Sequence, residues 1–543
     1  MENKKKDVSL YSQTLTVLFI LLFMGSVFIV SNRNFDLFET YRKYWTIVIG
    51  LLFIIVACTN ITANKGRMNL SIDTILKGVF AAGVLESFFA LAQLFKFLPS
   101  FNRYYTYTGS FDNPAIFAML LSVSTPIAVY FAIHETVSLK RKTVWWIAAL
   151  SLLVFIAFSE SRTGLLAAIL SSATVALSES EKLRKRLFNL HSLILLLPLA
   201  ILLFYLIYRF KADSANGRIL IWRIVMDMVK ERPLMGFGPH GFTANYMEYQ
   251  ASYFLNNPQS RFLLLADNVN NPFNEFLLVL VNYGMMGLTI VFCTLVLIIK
   301  RIREFNGSCR SVITGLTIVL IIWSLFSYPF SIPFVWVITL LILTIAFKLV
   351  IQRTYKYSCP IIFVSCAVCM LLTLYRYFPE REWSMVSFRS QNEGKDIVLS
   401  DYIRLYERLS NNRRFLYNYG AELHYYGYYD ESIDVLKECS SKLNDYDVQM
   451  LIGNCLQHTG DTLGAIERYC YANRMVPSRF LPQYNIMNLY IVSGDTVQAV
   501  RVANTILQKD VKIERSKAVQ RIIREAGELL QTQNSQITTE ITD

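Results

Sequence analysis

Pro114-Ala115-Ile116-Phe117-Ala118-Met119-Leu120-Leu121-Ser122-Val123-Ser124-Thr125-Pro126-Ile127-Ala128-Val129-Tyr130-Phe131-Ala132-Ile133 is an uncharged run. A helix needs about 20 such residues to cross a hydrocarbon core about 30 Å thick. Similar runs recur near 12–31, 44–60, 76–96, 143–159, 163–179, 191–208, 274–299, 312–329, 332–350 and 359–376, which makes about eleven spans with 114–133. No small-residue cleavage site clearly follows the first run, so it is read as a retained span. Beyond residue 380 the chain turns polar and no run there is long enough to cross. The expected fold is all-α: a polytopic membrane helical bundle over 1–380, then a soluble α-helical domain over 400–530. Residues 531–543 are polar and expected to be disordered.

The composition agrees. Of the 543 residues, 54% are hydrophobic and 17% charged, with mean hydropathy +0.37; a soluble protein carries about 25% charged residues. The net charge of +13 suggests nucleic acid until the charges are placed. Lys4-Lys5-Lys6, Lys65 with Arg67, Lys140-Arg141-Lys142, Lys182 to Arg186, Lys300-Arg301-Arg303, and Arg353 with Lys356 occupy every second connection between spans. The positive-inside rule makes all of these cytoplasmic. Aromatic platforms for bases are absent, so no nucleic-acid partner is expected. The N-terminus then lies inside, and the loops at 97–113, 160–162 and 209–273 lie outside. An odd number of spans puts the tail outside too.

Nine cysteines are scattered. Cys366 and Cys369 form a C-x-x-C inside an apolar run without a second pair, which does not read as a metal site. Cys439, Cys455 and Cys470 read as small hydrophobes on packed helices.

The tail is periodic. Gly427, Gly460 and Gly494 are spaced 33 and 34 apart. Five residues after each stands Ser432, Ala465 or Ala499, and four before each stands Leu423, Leu456 or Tyr490. This spacing resembles the tetratricopeptide repeat, in which glycine serves the turn and the small residue lets paired helices approach. About three units match, over roughly 412–511. Such stacks bind peptides or partners in a concave groove; a spacer or a lid is the other reading.

The chemistry is expected on the outer face. Ser161-Arg162-Thr163-Gly164 joins two spans, and the segment 209–273 is the longest connection in the membrane half. Within it, Ile219, Trp222, Met226 and Val229 share one face of a helix expected from Arg218 to Val229. Such a helix suits the membrane interface. Glu231-Arg232-Pro233 should end it, and Gly236-Phe237-Gly238-Pro239 should form a tight turn. Arg162, Arg218, Arg223 and Arg232 supply fixed cations. A guanidinium donates paired hydrogen bonds to phosphate and does not titrate away. A lone arginine at a membrane edge can equally snorkel to headgroups.

Ser161–Gly164, Gly217–Trp222, Pro233–Gly238, Asn274-Glu275-Phe276-Leu277 and Tyr283-Gly284-Met285-Met286-Gly287, with Phe111-Asp112-Asn113-Pro114 and Pro126, resemble segments of the O-antigen ligase and O-antigen polymerase superfamily. The resemblance covers about 75–350 and rests on order and topology. It implies a GT-C-like membrane glycosyltransferase at the periplasmic face of the bacterial inner membrane. The donor it implies is a glycan on undecaprenyl pyrophosphate. The acceptor would be lipid A–core, another lipid-linked repeat, or a protein hydroxyl. It carries a pyrophosphate-holding role onto Arg162 and Arg218, and less directly onto Arg223. The family usually has a histidine where this chain has Asn271. Asparagine orients a hydroxyl but does not take its proton. The substitutes are His240, the one histidine of the outer loop, or a carboxylate: Glu275, Asp267 or Glu160. Glu275 can instead cap the following span, and His240 can be a turn residue.

Glu86 lies within a span and is a functional candidate by default, although one hydrogen bond would satisfy it. No loop carries a paired-carboxylate metal motif, and arginines can replace a divalent ion at a leaving pyrophosphate. A metal-independent enzyme without cofactor is therefore expected. The readings from other classes are a transporter for a lipid-linked anion and a non-catalytic envelope scaffold that binds a protein partner through the tail.

Overall fold

The computed structural model describes residues 2–30, 40–66, 70–102, 104–181, 184–185, 212–305, 307–390, 395–513 and 516–542. The described residues are helical, with no β-strand among them. They fall into two compact units. The first comprises residues 1–207, 273–275 and 290–388, the second 208–272, 276–289 and 389–543.

The first unit holds α1 (Glu2–Phe28), α2 (Thr40–Ala63), α3 (Ile72–Leu94), α4 (Pro114–His134), α5 (Leu139–Phe158) and α6 (Arg162–Glu179). After the second unit's insertion come most of α9 (Glu275–Glu304), then α10 (Arg310–Phe326), α11 (Pro333–Ala346) and most of α12 (Lys348–Arg389). Among the described residues, α2, α3, α4, α5, α9 and Val350–Arg389 of α12 are long and apolar enough to cross a membrane. Of the eleven expected spans, three more correspond to shorter apolar helices: Gln13–Phe28, Arg310–Phe326 and Pro333–Ala346. Helix α6 belongs to neither group, and 191–208 lies outside the described residues.

Helix α4 is the hub, because an uncharged run gains most from enclosure. It packs on α3, α5, α6 and α10, and its central window is 89% buried. Small residues permit the approach. A Cβ on Gly83 would meet Ser124 Oγ at 2.3 Å, and one on Gly164 would meet Ala118 Cβ at 3.0 Å.

Polar side chains fix the 97–113 connection. Gln93 Oε1 accepts from the Thr108 and Gly109 amides, and its Nε2 donates to Pro99 O and Gly109 O. Buried Arg42 donates to Ile29 O at 2.8 Å and to Ser110 O at 2.8 Å. Glu86 Oε2 accepts from the Ser110 amide at 2.8 Å. The intramembrane acid therefore anchors a connection instead of bonding a neighbouring helix.

The second unit combines α7 (Ala212–Glu231) and α8 (Gly241–Asn256) with the tail: α13 (Lys395–Leu409), α14 (Arg413–Tyr425), α15 (Tyr429–Ser440), α16 (Tyr446–His458), α17 (Thr462–Met475), α18 (Leu481–Val492), α19 (Thr496–Leu507) and α20 (Lys517–Thr542). Helix α20 runs on through residues whose composition suggested disorder. Helices α14 to α19 form three hairpins whose turns place Gly427, Gly460 and Gly494 at φ 84°, 86° and 79°. Ser432, Ala465 and Ala499 are fully buried between the paired helices.

The segment after α7 is built into this tail. Helix α8 packs on α17. The fully buried Gln250 donates to Met475 O at 2.6 Å and Asp267 O at 3.1 Å, and accepts from the Tyr246 hydroxyl at 2.9 Å. Thr243 O accepts from the Asn444 amide at 3.0 Å, and the Thr243 hydroxyl donates to Lys442 O at 2.8 Å. Replacing Gln250 with leucine strands two buried carbonyls and a phenol. It is expected to cost about 1–3 kcal/mol per unsatisfied group, read as a lower melting temperature of the purified protein and faster proteolysis within 241–268.

Candidate active site

Ser161-Arg162-Thr163-Gly164 starts α6, and Arg162 runs against the helix's own electrostatic preference. Ser161 caps α6, its Oγ accepting from the Gly164 amide at 3.2 Å. Gly164 leaves room for Ala118 and Ile156. Thr163 is half-buried beside them. Arg162 is the first residue of α6, where the positive end of the helix dipole disfavours a cation by about 0.3–1 kcal/mol. The preceding Glu160 sits at φ 55°, a left-handed conformation that costs a residue with a Cβ on the order of 1 kcal/mol. The Tyr107 phenol is pushed up by burial and by the nearby Glu160 carboxylate. Strain and a misplaced cation thus occur together at one short turn.

Asn113, Phe273 and Glu275 belong to the same unit. Asn113 caps α4, accepting from the Ala115 amide at 2.9 Å, and its Nδ2 lies 3.4 Å from the Tyr328 hydroxyl. The Phe273 ring packs on Tyr328 at 5.7 Å. Asn274 Nδ2 donates to Leu325 O at 3.0 Å, and Glu275 Oε1 accepts from the Phe330 amide at 3.1 Å. Glu275 opens α9 as expected, but it holds the Phe330 turn as well.

In the second unit, α7 begins at Ala212 rather than Arg218 and ends at Glu231, directly before Arg232-Pro233. Its buried stripe is Leu220, Ile221, Ile224, Val225 and Met228, whereas Ile219 and Met226 of the expected apolar face are 44% and 39% exposed. The helix has two apolar stripes, and packing against α8 chose the other one. Trp222 Nε1 donates to Pro272 O at 2.9 Å. Arg218 lies one turn before Trp222 on α7. Arg223 lies over the Tyr253 ring at 5.3 Å, and Arg232 over Phe237 at 4.8 Å. Five residues separate Arg218 from Arg223, about 140° around the helix.

The stretch Pro233–Phe242 is laced to a break in α9. Gly284 has φ 63° and ψ −164°, so the helix is interrupted there. Val281 O and Asn282 O accept from the Phe237 and Gly238 amides at 2.9 and 2.8 Å; the Met285 amide donates to Pro233 O at 2.8 Å. Asn282 Oδ1 accepts from the Phe242 amide at 3.0 Å. The glycines of both motifs serve this approach: a Cβ on Gly236 would lie 2.4 Å from Val281 O. Sequence reasoning missed Asn282, and the polar residue before Tyr283-Gly284 in an apolar run was the available signal.

His240 directly precedes α8 and is exposed. Partial burial, then the Arg413 and Lys442 cations, hold its imidazole below the usual histidine range. That favours the neutral imidazole, the form able to accept a proton. Asn271 is half-buried. Asp267 is a poorer base. Burial alone would raise it, but the Asn268 amide with Lys512 and Arg479 holds the carboxyl below its usual value. Arg479 Nη2 is 3.3 Å and Lys512 Nζ 3.5 Å away.

Among the described residues no cluster of three metal-ligating side chains occurs. No curated protein matches the chain. Arg162, Arg218, Arg223, His240, Asn271, Glu275 and Gly284 all fall in a single stretch, residues 147–292, which matches the O-antigen ligase family.

Proposed function

We propose that this protein is an O-antigen ligase-like glycosyltransferase of the bacterial inner membrane. It moves a glycan from undecaprenyl pyrophosphate to an acceptor at the periplasmic face. The observation that supports this reading best is Arg162, a cation held at the wrong end of a helix beside a strained residue, inside the matched stretch. Binding an anion there offsets the dipole penalty, because a phosphate favours the helix N-terminus and the guanidinium alike. The resemblance gives Arg218 a phosphate-holding role as well, and Arg223, which lies over the Tyr253 ring, less directly. The acceptor hydroxyl attacks the anomeric carbon, the bond to the phosphate oxygen breaks, and the pyrophosphate lipid leaves with the electron pair. His240 takes the hydroxyl proton, Asn271 orients the hydroxyl, and Glu275 holds the adjacent turn. The arginines supply the charge stabilisation that a divalent ion gives elsewhere, so the reaction proceeds without metal.

The test is transfer from a lipid-pyrophosphate glycan donor by purified protein in liposomes. Chelation with EDTA is expected to leave the rate unchanged. Transport without bond formation identifies a flippase, and neither activity identifies a scaffold. Chain growth on a second lipid-linked repeat marks a polymerase, and attachment to a polypeptide marks a protein O-oligosaccharyltransferase. The helical hairpins of the tail are read as a tetratricopeptide-like domain on the periplasmic side. Their packing on α8 favours a brace for the segment that carries His240.

The pH profile tests His240. A lowered pKa keeps the imidazole neutral to more acidic pH than a free histidine. The value of kcat/KM is therefore expected to stay level through pH 7 and fall only below the ordinary histidine range near 6.5. In His240→Gln the rate drops by about 10²–10⁴ and the acidic limb disappears. A variant with the parent's profile would remove His240 from the chemistry.

A further inference from the structure

A polar cavity of about 80 Å³ lies where α4 begins, and Arg42, Asp112, Asn113, Tyr328 and Ser331 line it. It has room for a few waters or for one hydroxymethyl group. Asn113 Nδ2 lies 3.4 Å from the Tyr328 oxygen; with the amide donating, the phenol itself acts as a donor. The Ser331 hydroxyl donates to Tyr328 O at 2.9 Å, so its oxygen offers an acceptor. Ile116 and Pro333 supply apolar walls. Asp112 is exposed, so the cavity reaches the surface there.

The turn that carries Tyr328 is gripped by Phe273-Asn274-Glu275. The Phe273 ring packs on Tyr328 at 5.7 Å, and its own backbone sits at φ 53°, a left-handed conformation disfavoured for a side chain with a Cβ. Asn274 holds Leu325 O and Glu275 holds the Phe330 amide. Three consecutive residues of the matched stretch thus fix a phenol that lies beyond its end at 292. Strain kept at such a place points to a site. The cavity also lies at the same end of the helices as Arg162. Helices α4 and α6 touch at Ala118 and Gly164. Asn113 stands about 7 Å before that contact along α4, and Arg162 about 3 Å before it along α6.

We propose that Tyr328 binds a hydroxyl of the sugar joined to the pyrophosphate, with Asn113 orienting the phenol and Glu275 as a positioning residue for its turn. This deepens the proposed function and rests on it. The lining decides the occupant. A bare phosphate would face the Asp112 carboxylate, and an acyl chain would leave Arg42 and Asp112 against hydrocarbon. A neutral polyol meets donors, acceptors and apolar walls together.

The test measures binding of farnesyl pyrophosphate to the purified full-length protein in nanodiscs, with the lipid bare or carrying glucose, galactose or N-acetylglucosamine. In the parent, at least one sugar is expected to tighten Kd about fivefold or more over the bare lipid. Tyr328→Phe keeps the ring on Phe273 and removes the hydroxyl. It is expected to cut that gain by about 2–10-fold and to leave the Kd of the bare lipid unchanged. Glu275→Ala loses the gain as well, and Glu275→Gln, which keeps an acceptor for the Phe330 amide, restores it. A merely structural role would weaken bare and glycosylated lipid alike. No gain from any of the three sugars, or a gain that Tyr328→Phe leaves intact, overturns the assignment and makes the cavity a water pocket only. The two readings fail separately. A Tyr328-dependent gain without any glycan transfer sinks the proposed reaction and keeps the sugar site; transfer with a gain indifferent to Tyr328 sinks the sugar site and keeps the reaction.

Discussion

Arg162→Ala is expected to stop glycan transfer while the protein remains folded. Charge-assisted hydrogen bonds contribute about 1.5–3 kcal/mol each. Losing a bidentate pair to the diphosphate therefore lowers kcat/KM on the order of a hundredfold or more, at about 1.4 kcal/mol per factor of ten. Stability is the control. The arginine opens α6, where the dipole disfavours a cation by about 0.3–1 kcal/mol, so a variant that keeps a cooperative melting transition separates lost binding from lost structure. A structural arginine would show the reverse pattern, with melting temperature and activity falling together. Arg162→Lys keeps the charge but not the fork, and is expected to recover only part of the rate. Full activity in Arg162→Ala with membrane-inserted protein would end the pyrophosphate assignment. Arg218→Ala is the companion test for the arginine that opens the Arg218–Trp222 turn of α7.

Gly284→Ala is expected to be the most damaging single methyl in the second unit. The φ of 63° with ψ −164° belongs to a region that essentially only glycine enters. The added Cβ would lie 2.2 Å from Leu234 O and 2.6 Å from the Met235 amide nitrogen, both backbone atoms that have nowhere to swing. Relief requires 233–238 to pull away from the helix break, losing the Met285 amide bond to Pro233 O and the Met286 amide bond to Leu234 O. Strain and two lost bonds together cost about 2–6 kcal/mol. The expected readout is a lower melting temperature and new protease cleavage between Arg232 and His240. Gly217→Ala is the contrast. Gly217 lies within α7 and an added Cβ meets nothing within 4 Å, so alanine should stabilise by about 0.5–1 kcal/mol. Loss of transfer in that stable variant would mean that a ligand approaches the backbone there.

Several elements were legible because their signals are local. The uncharged run from Pro114 placed α4, and Pro233 announced the end of α7. The 33- and 34-residue glycine spacing placed the hairpin turns, because each turn needs a positive φ.

Other features needed a partner to become visible. The two apolar stripes of α7 are both credible from sequence, and only α8 decided which one is buried. Glycine in an apolar run normally signals close packing, so the break at Gly284 was hidden until 233–238 was seen to use its freed backbone groups. Asp267 read as a free carboxylate, because Arg479 lies 212 residues away in the chain.

By itself, then, the sequence determined a membrane-crossing helical bundle, a periodic helical tail, and which short turns carry cations. Hydropathy, capping and turn preferences act over a few residues and can be read one segment at a time. Tertiary structure decided that the segment carrying His240 is built into the tail, that Asn282 and Gly284 hold the glycine turn, and that Arg223 lies over Tyr253. Those outcomes depend on which buried donor finds which acceptor, and chain order carries no record of that pairing.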